Sequence, residues 1–165
     1  MLNFESLAHI AVRVKNIDRS LAFYTNILNM PELMRLHHPD GSLFLIYLRV
    51  TDTQYIELFP NAEGDTAPQN ESNGLNHFCL TVEDLEVTMK EFVARGGKSS
   101  KWADTPGGGR ALIEVEQPFI GVGLDGNRQC WIRDPDGNRI ELMQMSKDSM
   151  QYKAIRGMRG YKAGD

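Results

Sequence analysis

An internal repeat constrains the fold of this 165-residue chain more than any other feature of its sequence. The run LAHIAVRV at residues 7–14 is similar to the run LNHFCLTV at residues 75–82, at an offset of 68 positions. Three residues recur at that offset: Leu7 and Leu75, His9 and His77, and Val14 and Val82. Since self-similarity at a fixed offset marks repeated structural units, we expect two modules with the same architecture.

The first copy predicts a strand, a helix and three further strands. Asn16 or Asp18 can cap the start of the helix, and the apolar residues that follow recur at helical spacing. Turn-forming residues then separate three strand-like runs, near residues 32–38, 42–50 and 53–59. We therefore expect a βαβββ module, in which β is a strand and α a helix, over residues 6–60.

The second copy has the same order of elements. Asp84 can cap its helix, and Gly96-Gly97 can end it. Strand-like runs near residues 98–103, 119–124 and 128–133 match the three of the first copy, and one additional run follows near residues 138–144. We expect a second βαβββ module over residues 74–145 and a C-terminal tail over residues 146–165, all within one domain of residues 1–165.

The second copy also holds an insertion. His9 and Glu57 are 48 positions apart, whereas the equivalent His77 and Glu141 are 64 positions apart. We place the extra residues in segment 104–120, which includes a run of three glycines. This run lacks the Lys-Ser/Thr of a phosphate-binding loop. We therefore expect segment 104–120 to be a connecting loop or a lid over the site.

Charge and cysteine content exclude several functional classes. The formal net charge is −4 and both signs are spread along the chain, so the concentrated basic face of a nucleic-acid-binding protein is absent. No apolar run reaches the length of a membrane-spanning helix. Cys79 and Cys130 do not form a C-x-x-C pair, and no secretory segment opens the chain. We expect a cytoplasmic protein with free thiols that binds neither nucleic acid nor membranes.

Two histidines and two glutamates occupy equivalent places in the copies. Because side chains alternate between the faces of a strand, His9 and His77 point away from the more apolar face. Glu57 and Glu141 each lie within an apolar run, where a buried carboxylate needs a partner. Either half alone fits a structural histidine and a solvent-facing glutamate, but the repetition favours a site for Zn²⁺, Ni²⁺, Co²⁺, Mn²⁺ or Fe²⁺.

Two blocks of the chain resemble a known family. The block HIAVRVKNIDRSLAFYTNIL at residues 9–28 is very similar to the opening of glyoxalase I, and IRDPDGNRIEL at residues 132–142 is similar to the last hairpin of the same family. The chain thus resembles, over residues 6–145, the vicinal-oxygen-chelate superfamily. That superfamily includes glyoxalase I, methylmalonyl-CoA epimerase, extradiol dioxygenases and fosfomycin-resistance proteins. The resemblance implies an α+β fold in which two βαβββ modules form a curved, open sheet around a metal site.

The resemblance also implies a function. It implies metal ligands at His9, Glu57, His77 and Glu141, with Glu57 and Glu141 as the catalytic proton carriers. It further implies that Arg13 and Asn61 bind the substrate, since these positions hold glutathione in glyoxalase I. We expect a glyoxalase-type lyase or isomerase that converts a hemithioacetal or α-hydroxy carbonyl compound through an enediolate. Glutathione or another thiol would be the cosubstrate, and the chain would form a homodimer.

Three alternatives stay open. An epimerase acting beside a carbonyl, of the methylmalonyl-CoA or sugar type, would use the same ligands and the same enediolate chemistry. An extradiol-type dioxygenase would use three ligands, so the presence of Glu57 counts against it. A non-catalytic protein that binds a drug or another ligand would need no metal, so four intact ligand positions count against it.

Overall fold

The computed structural model of the protein describes residues 4–158, which fall into two compact units. The first unit comprises the chain up to Ala67 together with Asp134–Gly137, and the second comprises Pro68–Arg133 and the chain from Asn138 onward. Each unit combines helix with a sheet of its own, so the predicted α+β class is confirmed. The end of the predicted tail, residues 159–165, lies outside the described residues.

The first unit has the predicted order of elements. They are β1 (His9–Arg13), α1 (Ile17–Ala22), which continues as a π-helical segment (Phe23–Ile27), β2 (Glu32–His37), β3 (Leu43–Arg49) and β4 (Tyr55–Phe59). The sheet order is β1-β4-β3-β2, with β1 parallel to β4 and the other pairs antiparallel. Of the two predicted caps, Asn16 rather than Asp18 caps α1, because the Asn16 side chain accepts a hydrogen bond from the Arg19 N–H at 2.9 Å.

Alternation along β1 decides which side chains reach the core of the first unit. Val12 and the following Val14 are buried, whereas His9, Ala11 and Arg13 are exposed. The same alternation in β4 buries its apolar residues on one side of the sheet and leaves its glutamate on the other. The predicted orientation of the first histidine, away from the apolar face, is therefore confirmed.

The turn Asp134–Gly137 is anchored within the first unit by hydrogen bonds. The Tyr24 hydroxyl donates to Asp134 Oδ2 at 3.0 Å, and the Ser20 hydroxyl donates to Asp136 Oδ2 at 3.0 Å. Burial and the nearby Asp134 carboxylate raise the pKa of Tyr24 well above its usual value. Tyr24 therefore remains a hydrogen-bond donor throughout the physiological pH range.

The second unit contains more elements than the sequence predicts. They are β5 (Phe78–Thr81), α2 (Leu85–Ala94), β6 (Ser99–Asp104), β7 (Arg110–Val115), β8 (Gly121–Val122), β9 (Arg128–Arg133), β10 (Arg139–Gln144) and α3 (Met150–Gly157). The sheet order is β5-β10-β9-β6-β7, and β8 pairs with β9. Asp84 caps α2, as predicted, and Gly96 follows its end with a φ of 89°. Within residues 4–158, no helix has the length and apolar character needed to cross a membrane.

The prediction that segment 104–120 is a connecting loop is wrong over seven of its residues, namely Asp104 at the end of β6 and the six residues of β7. Strand β7 lies within this segment and pairs antiparallel with β6. The run RALIEV is rich in residues that favour strands, and the glycines before it make the turn, with a φ of 79° at Gly108 and 93° at Gly109. The strand predicted over 119–124 shortens to two residues, because Gly121 and Gly123 weaken it.

Both cysteines are free thiols, as predicted. Cys130 is buried on β9, where its sulfur lies 3.3 Å from the Ser99 hydroxyl. Cys79 lies on β5 beside Glu141 and is only partly open to solvent.

Candidate functional site

The first predicted pair, His9 and Glu57, lies on neighbouring strands of the first unit. His9 is the first residue of β1 and Glu57 the middle residue of β4. His9 Nε2 lies 3.7 Å from Glu57 Oε2. The Glu57 side chain is only 8% exposed, whereas that of His9 is 48% exposed. The carboxylate is thus the buried member of this pair, and the imidazole is the open one.

Tyr47 supports Glu57 from the neighbouring strand. It is the cross-strand partner of Glu57 in the β3–β4 pair, and a hydrogen bond to the Glu57 carboxylate raises the pKa of Tyr47. Tyr47 was not predictable from the sequence, because β3 ends at Arg49 and β4 begins at Tyr55, whereas the strand-like runs near 42–50 and 53–59 predict a two-residue turn. A turn that short predicts a different cross-strand register.

The second predicted pair, His77 and Glu141, lies in the second unit. His77 directly precedes β5, and Glu141 lies on the neighbouring strand β10. His77 Nε2 lies 3.1 Å from Glu141 Oε2, and the two side chains are 33% and 16% exposed. On the other side of the ring, His77 Nδ1 lies 2.9 Å from the side-chain oxygen of Asn76. Both ring nitrogens of this histidine therefore face oxygen atoms.

Cys79 borders Glu141 on the same face of the sheet. It is the Cα partner of Glu141 in the parallel β5–β10 pair. Burial, followed by the charge of the Glu141 carboxylate, raises the pKa of the Cys79 thiol to about 12. Cys79 is therefore a neutral thiol at physiological pH and not an activated nucleophile.

Two tryptophans extend the surface around His77. Trp131, the cross-strand partner of Glu141 on β9, packs edge to face against the His77 ring at 4.8 Å between centroids. Trp102 on β6 packs against Trp131 at 5.4 Å, and the Arg110 guanidinium lies over Trp102 at 5.9 Å. Both indoles are half-buried, so they offer apolar surface beside the polar pair.

One pattern in the sequence indicates the position of Trp131. Cys130 and Ile132 are apolar and buried, so alternation along β9 places Trp131 on the opposite face. No comparable signal exists for Trp102, because its position relative to Trp131 depends on how β6 pairs with β9.

The two predicted substrate-binding residues lie at one end of the first sheet. Arg13 is the last residue of β1 and the Cα partner of Phe59, and Asn61 follows β4. Arg13 Nη1 donates to the Pro60 carbonyl at 2.9 Å, and the guanidinium lies over the Phe59 ring at 5.3 Å. Asn61 has a φ of 62°, a left-handed conformation that asparagine tolerates. Both side chains are exposed.

The structure thus brings the predicted ligands together as two His–Glu pairs, one in each unit. Across residues 4–158, no group of three or more histidine, cysteine, aspartate or glutamate side chains is spaced to hold a metal ion. Each pair by itself supplies one imidazole nitrogen and one carboxylate oxygen. The assignment of all four residues to one ion therefore stays a prediction.

The chain is similar in sequence to a known protein family and to individual proteins of that family. The family described as the Glyoxalase/Bleomycin resistance protein/Dioxygenase superfamily matches residues 6–142. A "Probable lactoylglutathione lyase" from Synechocystis sp. is 31% identical over 143 residues, which cover 85% of this chain and 95% of that protein. The lactoylglutathione lyase from Neisseria meningitidis is 28% identical over 152 residues, which cover 89% of this chain and 97% of that protein.

Two solved structures share the fold. The glyoxalase family protein from Enterococcus faecalis aligns with a TM-score of 0.63 at 20% identity, over 85% of this chain and 98% of that one. The trypanothione-dependent glyoxalase I from Leishmania major aligns with a TM-score of 0.60 at 24% identity, over 94% of this chain and 96% of that one. The likeness covers both units of the chain.

Proposed function

Because the chain belongs to the Glyoxalase/Bleomycin resistance protein/Dioxygenase superfamily, we propose that it is a metal-dependent lyase or isomerase of the glyoxalase I type. Its substrate would be the hemithioacetal of a 2-oxoaldehyde or a related α-hydroxy carbonyl compound. Relatives named lactoylglutathione lyase support this reaction class, since the similarity spans nearly their whole length.

One observation carries the proposal: the same His–Glu contact occurs in both units. His9 Nε2 approaches Glu57 Oε2, and His77 Nε2 approaches Glu141 Oε2, at equivalent positions of the repeat. Two imidazole nitrogens and two carboxylate oxygens suit a borderline divalent ion such as Zn²⁺, Ni²⁺, Co²⁺, Mn²⁺ or Fe²⁺. In this proposal the four residues hold one such ion.

The chemistry is a proton transfer between adjacent carbons. When bound, the ion supplies Lewis-acid stabilisation of the negative charge that develops on the substrate oxygens. Glu57 or Glu141 would remove the C–H proton of the hydroxyl-bearing carbon beside the carbonyl, which leaves an enediolate, and would return that proton to the former carbonyl carbon. The hydroxyl proton passes to the former carbonyl oxygen, so a hemithioacetal becomes a 2-hydroxy thioester. Tyr47 orients Glu57 through a hydrogen bond, whereas His77 and Cys79 border Glu141. The two carboxylates therefore have different surroundings for this task.

The exposed groups suggest how the rest of the substrate binds. Arg13 and Asn61 would hold a carboxylate of the thiol cosubstrate, for which glutathione is the first candidate. The contacts of Arg13 with Pro60 and Phe59 hold the guanidinium in place and leave further N–H groups for a bidentate pair. Apolar surface beside His77, offered by Trp131, would receive the substituent of the oxoaldehyde.

The activity test begins with protein stripped of metal by a chelator. Metal-free protein should lack activity towards the hemithioacetal of methylglyoxal and glutathione, and one of the five candidate ions should restore it. Hemithioacetals of other thiols and α-hydroxy ketones then define the substrate. Full metal content and full activity in both the Glu57→Gln and the His77→Ala proteins would overturn the proposal. Epimerisation of an acyl-CoA, or ring cleavage of a catechol with Fe²⁺, would identify an alternative reaction.

We also propose that the active protein is a homodimer, which two inactive variants can test. One chain carries His9→Ala with Glu57→Gln, and the other carries His77→Ala with Glu141→Gln. If each site takes one pair from each subunit, the mixed dimer contains one intact site and regains up to half the activity of the wild type. If each site lies within one chain, mixing restores nothing, and a monomer in light scattering would contradict the dimer itself.

A further inference from the structure

The amide of Asn76 has only one orientation that satisfies its neighbours. Asn76 Nδ2 lies 2.8 Å from the backbone carbonyl of Asn70 and 3.0 Å from Asn70 Oδ1. A backbone carbonyl can only accept a hydrogen bond, so the NH₂ group of Asn76 must face it. Asn70 Nδ2 in turn donates to Glu71 Oε1 at 2.9 Å, which turns the oxygen of Asn70 towards Asn76. The side-chain oxygen of Asn76 is left facing His77.

This orientation decides which ring nitrogen of His77 carries a proton. Asn76 Oδ1 lies 2.9 Å from His77 Nδ1 and can only accept, so Nδ1 must be the donor. In a neutral imidazole with a proton on Nδ1, the lone pair lies on Nε2. That lone pair faces Glu141 Oε2 at 3.1 Å. Both Nε2 and Oε2 are then hydrogen-bond acceptors, with no hydrogen between them. A cation between them, either a second proton or a metal ion, satisfies both.

Arg139 holds the segment that carries Asn76. Its Nε donates to the Asn76 carbonyl at 2.8 Å, and its Nη1 donates to the Pro68 carbonyl at 2.9 Å. Arg139 is the first residue of β10, the strand on which Glu141 lies. The residue that orients His77 is therefore tied to the strand that supplies the carboxylate.

From this geometry we propose that Asn76 is a positioning residue for metal binding: it holds His77 Nδ1–H and thereby directs the Nε2 lone pair at the ion. Asn70 and Arg139 hold Asn76 in turn. The proposal rests on the proposed function for the ion, whereas the hydrogen bonds themselves do not depend on it. Outer partners of metal-bound histidines fix the tautomer and the ring orientation, and their loss costs roughly 10–100-fold in metal affinity.

The experiment measures Co²⁺ affinity from its visible absorption, and Zn²⁺ affinity by competition with a chelating indicator. Asn76→Leu has nearly the same size without the amide, and we expect it to weaken binding by roughly 10–100-fold. Asn70→Ala should weaken it less, because the Asn70 backbone carbonyl still orients Asn76. Asn73→Leu, an exposed position in the same segment, is the matched control and should bind as the wild type does.

A spectroscopic readout separates positioning from a general structural effect. In the Zn²⁺-loaded protein, the Nδ1 proton of His77 should give a slowly exchanging imidazole resonance in ¹⁵N-correlated NMR. Asn76→Leu should lose this resonance while its melting temperature stays that of the control. If Asn76→Leu fails to fold, Asn76→Ala takes its place.

Two outcomes distinguish failure of this proposal from failure of the proposed function. If His77→Ala abolishes metal binding but the Asn76 variants bind as tightly as the wild type, the positioning role is wrong and the metal site stands. If His77→Ala leaves metal binding unchanged, the metal site is wrong. A protonated Nε2 and unprotonated Nδ1 in the wild-type protein would overturn the orientation of the ring.

Discussion

The two units begin with similar sequences but support opposite members of their His–Glu pairs. In the first unit the glutamate is the supported member, since Glu57 is 8% exposed and bonded to Tyr47, while the His9 side chain is 48% exposed. In the second unit the histidine is supported, since Asn76 holds Nδ1 of His77. The two copies therefore share the His–Glu pair, whereas the residues that contact each pair differ. One pair offers a pre-oriented carboxylate and the other a pre-oriented imidazole.

The largest expected difference is between the two histidines. His77→Ala should reduce metal affinity by more than the roughly 100-fold that loss of an outer partner can cost, because it removes the pre-oriented ligand itself. His9→Ala should cost less, because His9 is half exposed and must lose conformational freedom when it binds. Titration with Co²⁺ of both variants measures the difference. Equal losses, or a larger loss in His9→Ala, would contradict the comparison.

Loss of the hydroxyl that supports Glu57 should have a smaller effect. Tyr47→Phe removes the hydroxyl beside Glu57, and because Tyr47 is partly open to solvent we use the typical net contribution of about 0.5–1.5 kcal/mol and expect kcat/KM to fall by about 3–10-fold. Tyr55→Phe is the matched control, since the Tyr55 hydroxyl donates to the Asp52 carbonyl and does not touch Glu57. Steady-state kinetics on the metal-loaded protein measure both variants. If they behave alike, Tyr47 does not orient Glu57.

Removal of a helix cap should have the smallest effect, a loss of stability that is nearly the same in both units. The side chains of Asn16 and Asp84 accept from the N–H three residues later, both at 2.9 Å. Asn16→Ala and Asp84→Ala should each lower the free energy of unfolding by about 1 kcal/mol. Urea denaturation measures the free energy of unfolding. Asn73→Ala is the control, because Asn73 does not cap a helix. A loss confined to one of the two variants would show that the units differ in helix stability as well as in their sites.

Much of the site was predictable because the relevant patterns are local. The offset of 68 positions made His9 equivalent to His77, and alternation within β1 predicted the face that His9 occupies. The cap Asp84 was predictable for the same reason, since a cap bonds to a group three residues away. The glycine-rich segment predicts a loop, and β7 lies within it because the run after the glycines favours a strand.

The residues that support the site were not predictable in this way. Tyr47 reaches Glu57 only through the register of β3 with β4, and Trp131 reaches His77 across strands β9, β10 and β5. Asn76 directly precedes His77, and strict alternation would place the two side chains on opposite faces. Because β5 begins only at Phe78, alternation does not apply there, and the loop brings both side chains together.

The sequence by itself determined the repeat, the α+β class, the cap of the second helix and the positions of four candidate ligands. Each of these depends on spacing along the chain, which the backbone geometry of a strand or helix converts directly into position. Only the tertiary structure decided which residues contact those side chains: Tyr47 lies beside Glu57, and Asn76 beside His77. These contacts depend on strand register and on the path of a loop, and both are set by packing between segments distant in sequence.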